Sequence, residues 1–293
     1  MANAEYKQED TIKKEYEKRG YLNEDFRIFY LEDIAPAEIE YHYHDFDKIL
    51  VFFKGDITYT IEGKAYIPIP DDIILVPQGD THKVESEKNS IYARLVIYLS
   101  PGYLLSVTEN GKSLRDCFLH VKERYSNVVR QNEKKENRLI LLANQMRQAI
   151  MQNEGEVFDN LWLRTCLLQF LISLDRKMED ESIYFVNTSH CDKKIVEIIR
   201  YLNYHLTEEI NIDSISERFF ISKYHMMRRF KEETGYTIGN YLNQKRLLLA
   251  RELLKQGEPV TKVYLDCGFK DHSTFVRAYK QMFHEVPSKR GIL

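Results

Sequence analysis

A pattern of two short helices joined by a tight turn occurs twice in the last part of this 293-residue chain. The first copy is INIDSISERFFISKYHMMRRFKEETG, in which Asp213 can cap one helix and Ser222 can cap the next. The second helix is predicted to end at Gly235. The apolar residues predicted to face inward are Ile215, Phe219, Met226 and Phe230. Two short helices with a turn of about three residues form a helix-turn-helix unit.

The second copy, PVTKVYLDCGFKDHSTFVRAYKQMF, follows closely along the chain. Its turn is predicted at Cys267–Phe269, and Asp271 can cap the helix after the turn. The inward positions are Val260, Val263, Phe275 and Tyr279. The stretch Ile238–Gln256 between the copies predicts one linking helix. The C-terminal part is therefore predicted to be an all-α domain of two helix-turn-helix units joined by that helix.

This duplication resembles the DNA-binding domain of AraC/XylS-type transcription regulators. The resemblance is spread over Ile195–Arg290 and is carried by Ile215, Ser222, His225, Met226, Phe230, Lys231, Thr234, Gly235, Tyr241, Leu242, Arg246, Ala250, Leu253, Leu254, Gly268, Phe269, Phe275, Arg277, Lys280, Pro287 and Arg290. Ser216 and Tyr264 depart from it, because the family usually has alanine at both positions, and His284 stands where glycine is common. The resemblance implies sequence-specific binding to double-stranded DNA.

The second helix of a helix-turn-helix unit presents its outer face to base edges in the major groove. The outward residues are Lys223, Tyr224, Met227 and Arg228 in the first unit, and His272, Ser273, Val276 and Arg277 in the second. Arginine can bond guanine at two atoms, and Met227 and Val276 can meet thymine methyl groups. Lys231 and Lys280 hold matched positions and are predicted to contact phosphates.

Charge separates the same C-terminal part from the rest of the chain. Residues 190–293 contain 18 Lys and Arg against 13 Asp and Glu, whereas residues 1–189 contain 24 against 32. A basic part that follows an acidic one suits a module that binds a polyanion. The four cysteines lie far apart and predict reduced thiols. Because the chain shows neither a signal peptide nor a long apolar stretch, we expect a cytoplasmic protein with no membrane partner.

The pattern before this domain is first β-like and then helical. Short stretches rich in Val, Ile, Tyr and Phe alternate with Gly, Pro and Asp turns, and they include Lys48–Phe53, Asp56–Ile61, Ile73–Val76 and Tyr92–Leu99. Such strands indicate a small barrel or sandwich. The spacing HxH…G from His42, then PxGxxH ending at His82, resembles the two cupin motifs. We therefore predict an α+β protein of two domains, with a cupin-like β-barrel and trailing helices before the all-α domain.

A barrel interior can hold one small ligand, and the resemblance implies an effector there, such as a carbohydrate. The residues predicted to bind it are His42, His44, Lys48, His82 and Tyr92. In metal-binding cupins a carboxylate stands four residues after the second histidine, and here that position is Lys48. An ammonium group cannot bind a metal, so we predict no metal and no cofactor.

Two apolar stripes mark the helical stretch that follows. One consists of Leu139, Leu142, Met146 and Ile150, and the other of Leu161, Thr165, Leu168, Leu171 and Ile172. They can pack on the barrel or on a second subunit, and the resemblance favours a homodimer through residues 136–178. The predicted divisions are a polar arm at 1–20, a sensor and dimerisation domain at 21–178, a linker at 179–192 and the DNA-binding domain at 193–293.

The expected function is a transcription regulator controlled by a small molecule. Activation is the common mode of the family, which implies RNA polymerase as a further partner. No GxSxG, P-loop, GxGxxG or HExxH motif indicates catalysis, so no enzyme activity is expected. Two alternatives remain open, namely a metal-dependent cupin enzyme fused to a DNA-binding domain and a DNA binder that responds to no ligand.

Overall fold

The structure is a computed structural model that describes residues 22, 24–34, 38–86, 90–131, 137–152 and 159–288. The predicted arm at 1–20 lies outside these residues. The chain divides into two compact units, Met1–His190 and Cys191–Leu293. In the described residues, the first unit contains both strands and helices, and the second is mainly helical. The predicted α+β class with two domains is confirmed.

The described strands are β1 (Phe26–Ile34), β2 (Glu38–His42), β3 (Asp47–Lys54), β4 (Ile57–Ile61), β5 (Lys64–Tyr66), β6 (Ile73–Val76), β7 (His82–Ser86), β8 (Ile91–Leu99), β9 (Thr108–Glu109), β10 (Lys112–Ser113), β11 (Val128–Gln131), β12 (Ile183–Phe185) and β13 (His190–Cys191). Two antiparallel sheets form most of the β part of the first unit. One has the strand order β1-β8-β3-β6-β11-β12, and the other contains β5-β4-β7-β2, while β9 and β10 pair separately. Between the described residues, no strand pairing joins the two larger sheets into the predicted closed barrel.

Side-chain alternation along β3 gives the larger sheet two buried faces. Ile49 and Val51 belong to a core shared with the helices, whereas Leu50 belongs to a core shared with the other sheet. Tyr59 and Ile61 of β4 lie in that second core. Successive residues of a strand point to opposite faces. Polar side chains of β3 that lie an even number of positions from Leu50 therefore also point into the space between the sheets.

The described part of the first unit also contains the helices α1 (Pro101–Ser106), α2 (Asp116–Arg124), α3 (Arg138–Gln152) and α4 (Asp159–Glu179). They cover the outer face of the larger sheet. On α3 the predicted stripe is buried at Leu139, Leu142 and Met146, and Ile150 packs against the same core. These contacts are hydrophobic and fix α3 to the sheet.

The stripe predicted on α4 divides between the two faces of the helix, with Leu171 on the inner face and Leu161 and Ile172 on the outer face. The residues that pack inward are Cys166, Leu167, Phe170, Leu171 and Leu174, while Leu161, Thr165 and Ile172 are exposed. The reason is that α4 carries apolar residues at helical spacing on two faces, and periodicity alone cannot say which one meets the sheet. The outer face leaves a row of large apolar side chains in contact with solvent.

Up to residue 288, the second unit contains the helices α5 (Lys193–Tyr204), α6 (Ile212–Arg218), α7 (Lys223–Thr234), α8 (Ile238–Lys255), α9 (Val260–Asp266) and α10 (His272–Phe283). Helices α6 and α7 form the first predicted helix-turn-helix, α8 is the linking helix, and α9 and α10 form the second. The cap of α6 differs from the prediction, since Asn211 and not Asp213 accepts hydrogen bonds from the first backbone amides. Asn211 comes earlier in the same polar run, and both residue types cap well.

The stretch predicted as a linker, 179–192, carries strands of its own. In it, β12 pairs with β11 at the edge of the larger sheet. The backbone amide of Ser189 donates a hydrogen bond of 2.8 Å to the carbonyl oxygen of Ala65. Most of this stretch is therefore held against the first unit by backbone hydrogen bonds. Among the described residues, no helix is long and apolar enough to cross a membrane.

Candidate DNA-reading surface and effector site

The first candidate reading helix, α7, is fixed by its ends and by its inner face. The Ser222 hydroxyl accepts a hydrogen bond from the backbone amide of His225, and Gly235 ends the helix in the left-handed conformation. Met226 and Phe230 are fully buried. Because the inner face is held in this way, α7 turns its predicted DNA-contacting residues outward, and Lys223, Tyr224, Met227, Arg228 and Lys231 are all exposed.

The second candidate reading helix, α10, is built in the same way. The Asp271 carboxylate accepts a hydrogen bond of 2.7 Å from the backbone amide of Thr274, and Phe275 and Tyr279 are buried. Tyr264, the largest departure from the family pattern, packs edge-on against the ring of His272. Of the residues predicted to contact DNA, His272, Ser273, Arg277 and Lys280 are exposed and Val276 is half-buried.

The two adjacent arginines of α7 have different surroundings. Arg229 is half-buried and forms ion pairs with Asp192, Glu232 and Glu233, so it holds the unit together. Arg228 has only a long contact of 3.8 Å with Glu232. An exposed pair of that length contributes little free energy. The Arg228 guanidinium can therefore exchange this carboxylate for a ligand at small cost.

Arg277 is still less engaged. Among the described residues, no carboxylate lies within ion-pair distance of its guanidinium. Lys223, by contrast, pairs with Asp213 at 2.8 Å. Both matched arginines are therefore available to a nucleic acid at a smaller cost than Lys223.

The turn of the second helix-turn-helix is held by an arginine whose role the sequence did not reveal. Arg246 of α8 donates to the carbonyl oxygens of Leu206, Glu208 and Gly268. At Gly268, where φ is +78°, a Cβ atom would lie 2.6 Å from the carbonyl oxygen of Thr207. Only glycine allows this approach. Arg246 appeared in the sequence only as a matching position, and its length and charge could have suggested a bond to helix-end carbonyls.

The candidate effector site lies between the two sheets, where three histidines meet. The ring centroids of His42 and His82 are 4.2 Å apart, and His44 lies 5.0 Å from His42 and 5.1 Å from His82. His44 also stacks on Phe46. All three histidines are buried. The cupin-like motifs thus bring together the histidines that the sequence selected, although they come from separate strands.

Among the residues predicted to bind the effector, several buried polar atoms have no hydrogen-bond partner in the described part of the chain. They are both ring nitrogens of His44, Nε2 of His82 and the hydroxyl of Tyr92. The Nδ1 atoms of His42 and His82 instead contact the carbonyl oxygens of Glu40 and Asp80. Buried polar atoms usually have partners, so these atoms offer hydrogen bonds to a small molecule.

Lys48 adds a cation to the same space. It is buried, and its ammonium donates a hydrogen bond of 3.1 Å to the hydroxyl of Tyr59. Burial, and after it the charge of Arg94, lowers the pKa of Lys48 to about 7. The Arg94 guanidinium lies over the ring of Tyr92 and pairs with Asp33. No carboxylate among the described residues pairs with Lys48.

The three imidazoles could hold a metal ion by distance alone, because their ligand nitrogens lie within 4.8 Å of one another. Electrostatics acts against this. Burial, and after it the charge of Lys48, lowers the pKa of His42 to about 4, and the same two causes hold the pKa of His44 well below its usual value. A charge that disfavours a proton on these rings also disfavours a divalent cation. The donor set suits an organic ligand with hydroxyl or anionic groups better than a metal.

Comparison with known proteins assigns both units to one family. Residues 28–168 match the model of the AraC-like ligand binding domain, and residues 215–290 match that of a helix-turn-helix domain. The chain belongs to the AraC family of transcription regulators. The HTH-type transcriptional activator RhaS of Escherichia coli strain K12 is 25% identical over 255 residues, which cover 87% of this chain and 88% of RhaS.

Two solved structures are also similar. The K231A variant of apo ToxT from Vibrio cholerae is 13% identical, covers 92% of this chain and 97% of its own, and has a TM-score of 0.40. The DNA-binding domain of AdpA in complex with a target DNA is 25% identical, covers 31% of this chain and 83% of its own, and has a TM-score of 0.30.

Membership of the AraC family decides between the function classes that the sequence left open. The chain is a transcription regulator with an N-terminal ligand-binding domain and a C-terminal DNA-binding domain, and the relatives are regulators rather than enzymes. The prediction that the C-terminal duplication forms a DNA-binding domain is confirmed. Which side chains contact DNA or effector stays a prediction.

Proposed function

We propose that this AraC-family regulator activates transcription by reading DNA with α7 and α10. The supporting observation is that both helices are anchored by buried aromatic residues while Arg228 and Arg277 stand exposed at matched positions. Arginine at such a position can bond guanine at two atoms. Lys231 and Lys280 then contact phosphates. Activation is inferred from the similarity to RhaS, which is a transcriptional activator, and it implies contact with RNA polymerase in the cytoplasm.

The effector in this proposal is a carbohydrate that carries an acidic group. Hydroxyl groups can satisfy the buried atoms of His44, His82 and Tyr92, because neutral imidazole and phenol groups both donate and accept hydrogen bonds. The buried ammonium of Lys48 favours an anion over a neutral sugar. His42 completes the set of predicted contacts.

This function is tested by measuring the binding of the purified protein to the DNA upstream of its own gene. We expect protection of two neighbouring major-groove segments per subunit, with affinity that falls steeply between 50 and 200 mM salt, as phosphate contacts require. Sugar acids and sugar phosphates are then added, with neutral sugars as matched controls. An acidic sugar should raise the melting temperature and shift the DNA affinity. Binding without protection of specific bases would contradict the proposed reading helices, and identical DNA affinity with every sugar would contradict the effector.

We further propose that the protein is a homodimer whose interface is the outer face of α4. Leu161, Trp162 and Ile172 are exposed there although they are large and apolar. Such a patch marks an interface when it is contiguous, and positions 161, 165, 168 and 172 share one helical face. A second copy of α4 offers the same face, as a twofold axis requires.

The double substitution Leu161→Glu/Ile172→Glu should convert the dimer to a monomer, because it places like charges opposite each other across a desolvated face. Sedimentation velocity at micromolar concentration measures the change. Leu119→Glu is the matched control, since Leu119 is similarly exposed on α2. A monomeric wild type, or a double variant that remains dimeric, would contradict this interface.

A further inference from the structure

The turn before α7 contains a large apolar residue in a backbone conformation that favours glycine. Phe220 has φ +48°, in the left-handed region where a bulky side chain is an outlier. Its side chain is 88% exposed, the highest value among the exposed large apolar residues of the described chain. The ring therefore gains little from packing, while the backbone conformation costs free energy.

The second helix-turn-helix shows what this position looks like without such a side chain. Three backbone hydrogen bonds repeat in the two turns. Phe219, Phe220 and Ile221 donate to the carbonyl oxygens of Ile215, Glu217 and Ser216, just as Cys267, Gly268 and Phe269 donate to those of Val263, Leu265 and Tyr264. Phe220 thus occupies the position of Gly268, whose φ is +78°. The turn itself needs no side chain at this position.

The location of Phe220 indicates what its ring can meet. It stands two residues before Ser222, the cap of α7, and the first turns of that helix carry two further exposed apolar side chains, Tyr224 and Met227. Basic residues Lys223 and Arg228 flank these side chains on the same helix. The N-terminal part of a reading helix is the part that contacts base edges. An apolar residue at this end faces the edge of the groove that α7 enters.

We propose that Phe220 contacts DNA directly, by placing its ring against a thymine methyl group at the edge of the sequence read by α7. Phenylalanine makes such apolar contacts in the major groove, and the surrounding positive charge matches the phosphates. The strained conformation is then retained because the ring adds affinity and a preference for thymine at one base pair. This inference rests on the proposed function, in which α7 is a reading helix.

The substitution Phe220→Gly separates a role in DNA binding from a role in folding. Glycine relieves the backbone strain, so the melting temperature should stay equal to that of the wild type or rise by a few degrees. Affinity for the upstream DNA should nevertheless fall roughly 3- to 10-fold. Tyr204→Ala is the matched control, because Tyr204 is an equally exposed aromatic residue that lies outside the helix-turn-helix units. The Tyr204 variant should bind DNA as the wild type does.

The thymine is identified by replacing each thymine of the protected site with uracil, which removes only the methyl group. At one position the wild type should lose the same 3- to 10-fold of affinity, whereas Phe220→Gly should lose none, since the contact is already absent. Equal losses for the two proteins at every position would overturn the proposal. So would Phe220→Gly protein that binds DNA normally but no longer activates transcription, because the ring would then serve a protein partner.

Failure of this inference can be told from failure of the proposed function. If Arg228→Ala weakens DNA binding while Phe220→Gly does not, α7 reads DNA and only the role of Phe220 is wrong. If neither substitution changes the affinity, α7 is not a reading helix, and both the proposed function and this inference fall.

Discussion

The double substitution Arg228→Ala/Arg277→Ala should weaken binding to the upstream DNA by a factor of about 30 to about 25,000. Each arginine is expected to lose a contact worth roughly 1–3 kcal/mol, and the two contacts lie in separate helices, so their losses should nearly add. The fold should survive, because both side chains are exposed and neither belongs to a buried network. Equilibrium binding by fluorescence anisotropy at fixed salt measures the change.

Two further double variants serve as controls for this experiment. Lys231→Ala/Lys280→Ala should weaken binding to every sequence alike and should lower the salt dependence by about one unit for each lysine, as lost phosphate contacts do. Lys255→Ala/Lys262→Ala removes two lysines that pair with glutamates outside the reading helices and should have little effect. If the arginine variant binds specific and unrelated DNA as the wild type does, α7 and α10 do not read bases.

The second helix-turn-helix was predictable because its signals are local. The cap at Asp271 and the inward positions Phe275 and Tyr279 all follow from neighbours within a few residues, and the structure has them as the sequence predicted. The cap at Asn211 was missed for a related reason: two capping residue types stand close together, and only the backbone geometry decides between them.

The outer face of α4 could not be assigned from the sequence because its signal is not local. Leu167 and Leu171 pack inward, while Leu161 and Ile172 are exposed, yet all four fit a helical repeat. The choice depends on which side of α4 meets the sheet, and that depends on contacts far apart in the chain. Arg246 is a similar case, since its three carbonyl partners come from different parts of the second unit.

The histidine cluster falls between these cases. The spacing of His42 and His44, and the later motif ending at His82, were enough to select the residues. The sequence could not show that Lys48 is buried beside Tyr59 rather than extended to solvent. A lysine usually reaches water with its ammonium group, so burial of this one depends on the sheets that surround it.

The substitution Lys48→Met should stabilise the first unit by about 2–3 kcal/mol at pH 7. Lowering the pKa of a buried lysine from 10.5 to about 7 corresponds to a cost on the order of 4 kcal/mol, and loss of the hydrogen bond to Tyr59 offsets about 1 kcal/mol of the gain. Methionine has a similar length and no charge. The protein has one tryptophan, Trp162, so thermal unfolding of the full chain followed by tryptophan fluorescence reports on this unit.

The free energy of unfolding should also depend on pH, in a direction that a change of packing alone would not produce. Between the folded pKa of about 7 and the unfolded value, Lys48 binds more protons in the unfolded chain than in the folded one. Wild-type stability should therefore rise with pH across this range. The advantage of Lys48→Met should be largest at pH 7 and smaller at pH 9. Lys122→Met, at an exposed position of α2, should match the wild type at both pH values. Parallel curves for wild type and Lys48→Met would refute the burial of a titrating lysine.

The same variant tests whether Lys48, which destabilises the fold, binds the effector. A buried ammonium that destabilises the fold while pairing with no carboxylate is what a binding site for an anion requires, because the ligand supplies the missing charge. Lys48→Met should therefore be more stable than the wild type and yet lose the thermal shift produced by an acidic sugar. Binding to the upstream DNA in the absence of sugar should persist, since α7 and α10 are unchanged. If the variant is more stable and still responds fully to the acidic sugar, another cation binds the anion, and Arg94, whose charge acts on Lys48, would be the candidate.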